Sequence, residues 1–133
     1  MRVLSFAVAL VLAMTTMSGC DILRDIMNNP SNGVYRCVPM TSQQYSTAFN
    51  LISSRTFAND RLQTAKQQTQ NGRCLTAQQI NQIVAILEYE NMKLEYAKFA
   101  YPMCADPANY GIINNNLQYD SSKRELGRMT GVN

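Results

Sequence analysis

Four cysteines, a cluster of glutamates and a set of repeated cations are the residues of this 133-residue chain whose chemistry could reach beyond packing. Cys20, Cys37, Cys74 and Cys104 are too far apart in sequence to form a CxxC pair. The chain has no histidine, so a Cys-His nucleophile, a Ser-His-Asp hydrolase and a zinc site that needs imidazole are all excluded. Three thiolates without a fourth ligand make a poor metal site, and neither a metal nor a cofactor is expected. Glu88, Glu90 and Glu95 could supply a carboxylate pair for acid-base chemistry, but nothing near them in sequence would raise one pKa above another. They read as charges on a helix surface. No catalytic residue is assigned, and the chain reads as non-enzymatic; the alternative is a cysteine-dependent redox or thiol factor.

The cations differ from the glutamates because they recur. Phe57, Arg61, Leu62, Ala65 and Lys66 are matched 32 positions later by Tyr89, Lys93, Leu94, Ala97 and Lys98. Tyr119 and Lys123 repeat the aromatic and the cation 30 positions after Tyr89 and Lys93. A period of this length signals repeated supersecondary units. Arg61, Lys66, Lys93, Lys98 and Lys123 would then form a basic stripe able to contact anionic lipid, glycan or an acidic protein; the plainer reading is helix solubility. Phe57, Tyr89 and Tyr119 are expected to plug the core at each inter-helix turn.

The elements that must position these residues are all helical. Thr41 and Gln44 form a capping-box pattern, followed by Tyr45, Ala48, Phe49 and Ile52 at helical spacing. A second helix is expected to start at a cap on Asn59 or Asp60, and to end at Asn71-Gly72. Thr76 and Gln79 repeat the capping box ahead of Ile80, Ile83, Val84 and Leu87. Comparison with the first copy predicts a break near Tyr89, with Glu90 or Asn91 as the next cap. Pro102 ends that helix, Asp106-Pro107 reads as N-cap and N1 of another, and Ser122 with Glu125 predicts a third capping box. No segment alternates as a strand would. The fold class is all-α, a small array of three helix-turn-helix units near 41–70, 76–100 and 107–130, without a sheet.

This array constrains the cysteines. A straight helix over residues 76 to 100 would hold its ends about 36 Å apart, so Cys74 could meet Cys104 only if the chain folds back near Tyr89. Cys37 lies an even number of helices from Cys74 and belongs at the same edge. Cys74-Cys104 and Cys37-Cys74 are both candidate disulfides, with one thiol left over.

The amino terminus carries an address. Met1-Arg2, the apolar run Val3 to Met17 and the small residues before Cys20 read as a secretory signal, too short to span a bilayer. Met17-Ser18-Gly19-Cys20 resembles a bacterial lipobox, which implies cleavage before Cys20 and lipidation of its sulfur, and so a membrane anchor. Asp21 resembles an inner-membrane retention signal of enteric bacteria and favours the inner over the outer membrane. The expected organisation is a signal peptide over 1–19, a lipidated cysteine and tether over 20–40, and the helical domain over 41–131. Loss of Arg2 takes the 12 basic residues to 11 against 9 acidic ones, a charge near +2 that is too weak and scattered to argue for nucleic acid.

Across residues 41 to 131 the chain resembles the domain of unknown function 4476 family. The resemblance rests on Leu75 through Ile80, Tyr89, Lys93-Leu94-Glu95, Ala97-Lys98, Tyr101, Cys104, Asp106, Asn109-Tyr110, Tyr119 and Ser121-Ser122. It implies a helical fold and a cell-envelope setting, and carries no catalytic residues with it. The functional expectation is a lipid-anchored, periplasm-facing binding or scaffold module with an envelope protein as partner, or else a structural accessory subunit of an envelope complex.

Overall fold

A computed structural model describes residues 37–70 and 73–132. The leader, Cys20, most of the tether and the Asn71-Gly72 turn lie outside the described residues. Thr41 opens α1 (Ser42–Ser53): its hydroxyl accepts from the Gln44 N–H at 3.2 Å and the Gln44 amide oxygen accepts from the Thr41 N–H at 3.1 Å. Thr76 and Gln79 close the same box, at 3.1 and 3.0 Å, on α3 (Ala77–Ala85). Each box satisfies two of the donors that a helix start leaves without partners.

The intervening helices begin differently. The N-caps of α2 (Ala58–Thr69), α4 (Glu90–Ala100) and α5 (Asp120–Thr130) are Phe57, Tyr89 and Tyr119, none of which makes a side-chain cap bond. Asn59, Asp60, Glu90 and Asn91 are therefore first-turn residues, not caps, where the acids among them still favour the positive end of the helix dipole. The expected box at Ser122 and Glu125 does not form, because α5 starts earlier, at Asp120, and Ser122 is buried within it. Its role is taken across the units: the Glu90 carboxylate accepts from the N–H groups of Gln118 and Tyr119 at 3.0 to 3.1 Å.

The chain breaks between Ala85 and Glu90, as the repeat requires. Pro102 converts the end of α4 into a short 3-10 turn (Tyr101–Met103), and Asp106 is the N-cap of a longer 3-10 helix (Pro107–Asn116). Gly111 and the three asparagines at 114–116 are weak α-formers, and this segment is held by side chains instead. Asp106 accepts from the Ala77 N–H at 2.7 Å, and Asn116 donates to the Asn81 side chain at 2.6 Å.

The elements form two layers. α1, α3 and the long 3-10 helix make one, with the Tyr45 hydroxyl donating to the Gln79 carbonyl and Asp106 and Asn116 reaching α3. α2, α4 and α5 make the other and run parallel, because their cross-links advance together: Arg61 to Glu88, Lys66 to Glu95, then Lys98 to Glu125. Between the layers lie Ile52, Leu62, Ile80, Ile83, Val84, Leu87, Ile113 and Leu126, among them Ile52, Ile80, Ile83, Val84 and Leu87, the positions marked by the helical periodicity. Tyr96 and Tyr110 are also buried there, and burial pushes both phenols up. Their polar ends are satisfied: Tyr96 shares a 2.8 Å hydrogen bond with Thr69, and Tyr110 donates to the Ala97 carbonyl.

Two opposite edges result. At one, the starts of α1, α3 and the 3-10 helix are stitched by a seam of short extended segments, with isolated parallel bridges from Pro39 to Cys74 and from Leu75 to Cys104. The bonds run from Met40 N–H to Cys74 (2.9 Å), Leu75 N–H to Met103 (3.2 Å) and Ala105 N–H to Leu75 (2.8 Å). The other edge carries the starts of α2, α4 and α5. Among the described residues there are no strands beyond these bridges.

Candidate functional site

Phe57, Tyr89 and Tyr119 do not plug the core. They are 70%, 56% and 56% exposed and stand at the same place in three successive units. The backbone explains this. An N-cap is half outside its helix, and all three residues adopt extended angles, with φ between −92° and −105° and ψ between 136° and 140°. The side chain is thereby turned off the helix face, and the residue four positions on is Arg61, Lys93 or Lys123, not an apolar partner. Nothing within one turn of each ring fixes whether it faces in or out. The result is a row of one ring per unit along a single edge of the parallel layer.

The repeated cations are occupied in holding units together. Arg61 donates to Glu88 at 3.2 Å and to the carbonyls of Ile86 at 3.3 Å and Arg55 at 2.7 Å. Lys93, its counterpart, donates to the Asn116 carbonyl at 3.2 Å. Ile86 and Asn116 each lie at the end of the next unit's first helix, so the repeated cation caps its neighbour's C-terminus. Lys66 pairs with Glu95, and Lys98 with Glu125, again one unit onward. Lys123 belongs to the last unit and pairs within its own helix with Asp120 at 3.8 Å. The Lys98 ammonium holds the Glu125 carboxyl below its ordinary pKa. Arg61, Lys66, Lys93 and Lys98 thus connect units internally, with Glu88, Glu95 and Glu125 as counter-charges. Partial burial pushes the Glu90 carboxyl up, but the Gln118 and Tyr119 N–H groups, the Ser122 hydroxyl and Lys93 outweigh it and hold the pKa below 4.5.

Of the two candidate disulfides, Cys37-Cys74 is formed, with Cα atoms 6.2 Å apart. The seam decides between them. Consecutive residues of an extended segment point to opposite faces, and Cys104 is bridged to Leu75, so it shares the inward face while Cys74 is turned toward Cys37. Cys104 is buried outside the disulfide, and its thiol donates to Asp106 Oδ1 at 3.6 Å. Among the described residues no group of three or more His, Cys, Asp or Glu side chains could hold a metal ion, and no helix is long and apolar enough to cross a membrane.

A family model described as Domain of unknown function (DUF4476) matches residues 39–130. Comparison with curated proteins and with solved structures returned no match. The matched span runs from the first bridge of the seam to the last residue of α5, taking in every helix of the array. By that coverage the chain belongs to the DUF4476 family.

Proposed function

We propose that this protein is a lipid-anchored, non-enzymatic binding or scaffold module of the bacterial cell envelope, and that it engages its partner through the edge bearing Phe57, Tyr89 and Tyr119. The observation that carries the reading is that row of rings. Burying a large apolar side chain is worth about 1.5 to 3 kcal/mol, and three successive units forgo it at the same position. Elsewhere on this layer the repeated cations and Glu88, Glu90, Glu95 and Glu125 all have intramolecular partners. A repeated apolar feature on a surface with its charges paired suits a surface used for contact.

The chain enters the domain at Cys37 to Met40, on the seam edge, which is opposite the rings. Burial of Cys104 gives a thiol substrate no direct path to its sulfur, so no observation favours the thiol-factor alternative.

The test is site-specific photo-crosslinking in the full-length chain in its bacterial host. Probes at positions 89 and 119 are expected to capture a contact that a probe at exposed Gln78, on the seam edge, does not. Cys20→Ser is expected to release the protein from the membrane fraction. Equal labelling from all three probes would sink the binding edge, and membrane retention of the serine variant would sink the lipid anchor.

A further inference from the structure

The chemistry of the row narrows its partner, given that the binding-module reading is right. We propose that the edge formed by Phe57, Tyr89 and Tyr119 docks an extended, uncharged glycan, with one sugar face stacked on each ring.

Spacing is the first argument. The three rings sit at the starts of neighbouring parallel helices, and packed helices lie about 8–10 Å apart. That is wider than the roughly 4.5–7 Å at which aromatic rings engage one another, so each ring meets a ligand separately. A row with one flat apolar face per unit matches a linear polymer that presents flat apolar faces at a comparable repeat. An extended β-1,4-linked pyranose chain, every second ring of which turns the same face to one side, has that form.

Charge is the second. Along this edge acids and bases balance locally: Glu88 is paired with Arg61, Asp120 with Lys123, and Glu90 with backbone N–H groups near Lys93. On the first rung exposed Arg55 and exposed Asp60 carry opposite signs. A nucleic acid or an anionic bilayer is held by an excess of one sign, which this edge does not offer.

Hydrogen-bond chemistry is the third. Each rung has an exposed carboxylate within three residues of its ring, namely Asp60, Glu88 and Asp120, and the single ion pairs of Glu88 and Asp120 leave lone pairs free on both. Carboxylates only accept, so they ask for a donor-rich ligand. Sugar hydroxyls supply donors at the rim of a ring whose C–H face lies on the aromatic. A proline-rich peptide, the other extended ligand that aromatic surfaces take, offers carbonyl acceptors and no N–H at proline, and so matches the rings but not the carboxylates.

The experiment uses the lipidated full-length chain in detergent, titrated with chitohexaose and cellohexaose, with their monomers and with decaproline, and the Cys20→Ser chain without detergent, titrated with phosphatidylglycerol vesicles. Saturable binding of a hexaose is expected, far stronger than that of its monomer because three rings act on one chain. Phe57→Ala, Tyr89→Ala and Tyr119→Ala should each weaken it roughly 2- to 12-fold. Unchanged circular dichroism and melting would show that these exposed substitutions leave the fold alone. The proposal is overturned if neither hexaose binds, or if binding ignores all three alanine variants. Ring-dependent binding of decaproline or of the vesicles alone would also overturn it while leaving the edge a binding site. Loss of every ligand together with silent photo-crosslinks from positions 89 and 119 would remove the binding-module reading as well.

Discussion

Opening the Cys37-Cys74 disulfide tests the seam from which the whole array is hung. The bond closes a loop of sequence separation 37, which contains α1 and α2 and therefore the entire first unit. For a loop of that size the chain-entropy relation gives about 4 kcal/mol at 25 °C, gained by restricting the unfolded chain. In a domain of this length that corresponds to a melting temperature lower by roughly 15–30 °C. The assay is urea unfolding of a Cys20→Ser chain, followed by circular dichroism with and without reductant, beside a Cys37→Ala/Cys74→Ala variant. Reduction and the double substitution should lower stability by similar amounts, and the double variant should no longer respond to reductant. Under denaturing, non-reducing conditions the parent should titrate as a single thiol, Cys104. A Cys104→Ala chain is the decisive control, because it should keep the full response to reductant. If it lost that response, the bond would join Cys74 to Cys104, and the assignment of opposite faces to Cys74 and Leu75 would be wrong.

Thr69→Val should cost about 1–3 kcal/mol in urea unfolding, because it strands the buried Tyr96 hydroxyl, whereas Tyr96→Phe should cost only about 0.5–1.5 kcal/mol, since Thr69 keeps its 2.7 Å bond to the Ala65 carbonyl; equal costs would count against the network. On the alkaline side the phenols of Tyr45, Tyr96 and Tyr110 are raised above 10.0 by burial, so the folded state keeps protons that the unfolded state releases, and stability should fall as pH rises past 10. A flat stability profile from pH 9 to 12 would refute their burial. Glu90 has the opposite sign: its folded pKa is depressed, so its contribution is present above 4.5 and lost as pH falls through the lower folded value, and Glu90→Gln should flatten that part of the acid limb. Finally, Phe57→Ser, Tyr89→Ser and Tyr119→Ser should each change stability by under about 0.5 kcal/mol, while Ile83→Ala should cost about 2–5 kcal/mol. Large losses from the ring variants in thermal melts would return those rings to the core.

The residues legible in sequence are those whose behaviour is set within one turn of helix. Thr41 with Gln44 and Thr76 with Gln79 are local hydrogen-bonding devices, and both boxes form. Ile80, Ile83 and Val84 mark a buried face because a helix brings residues three and four apart to the same side. Ser122 and Glu125 carry the same local pattern as those boxes, yet form none, since the helix starts earlier, at Asp120, where the Glu90 carboxylate from another unit accepts from the N–H groups of Gln118 and Tyr119. The aromatics fared likewise: a ring at a turn is apolar whether it faces in or out, and its composition could not say which.

Sequence by itself determined the helical class, the break before Glu90, the period that relates the units and the meeting of the cysteines at one edge. Periodicity, capping and chain length are short-range physics, and the repeat extends them across the chain. Only tertiary structure decided which cysteines bond, that Arg61, Lys66, Lys93 and Lys98 connect successive units, and that Phe57, Tyr89 and Tyr119 face solvent in a row. Each of those outcomes depends on which groups from distant segments arrive within a few ångströms, and pairing energies act only there. Arg61, Lys66, Lys93 and Lys98 are held by the next unit, and the rings expected inside are exposed.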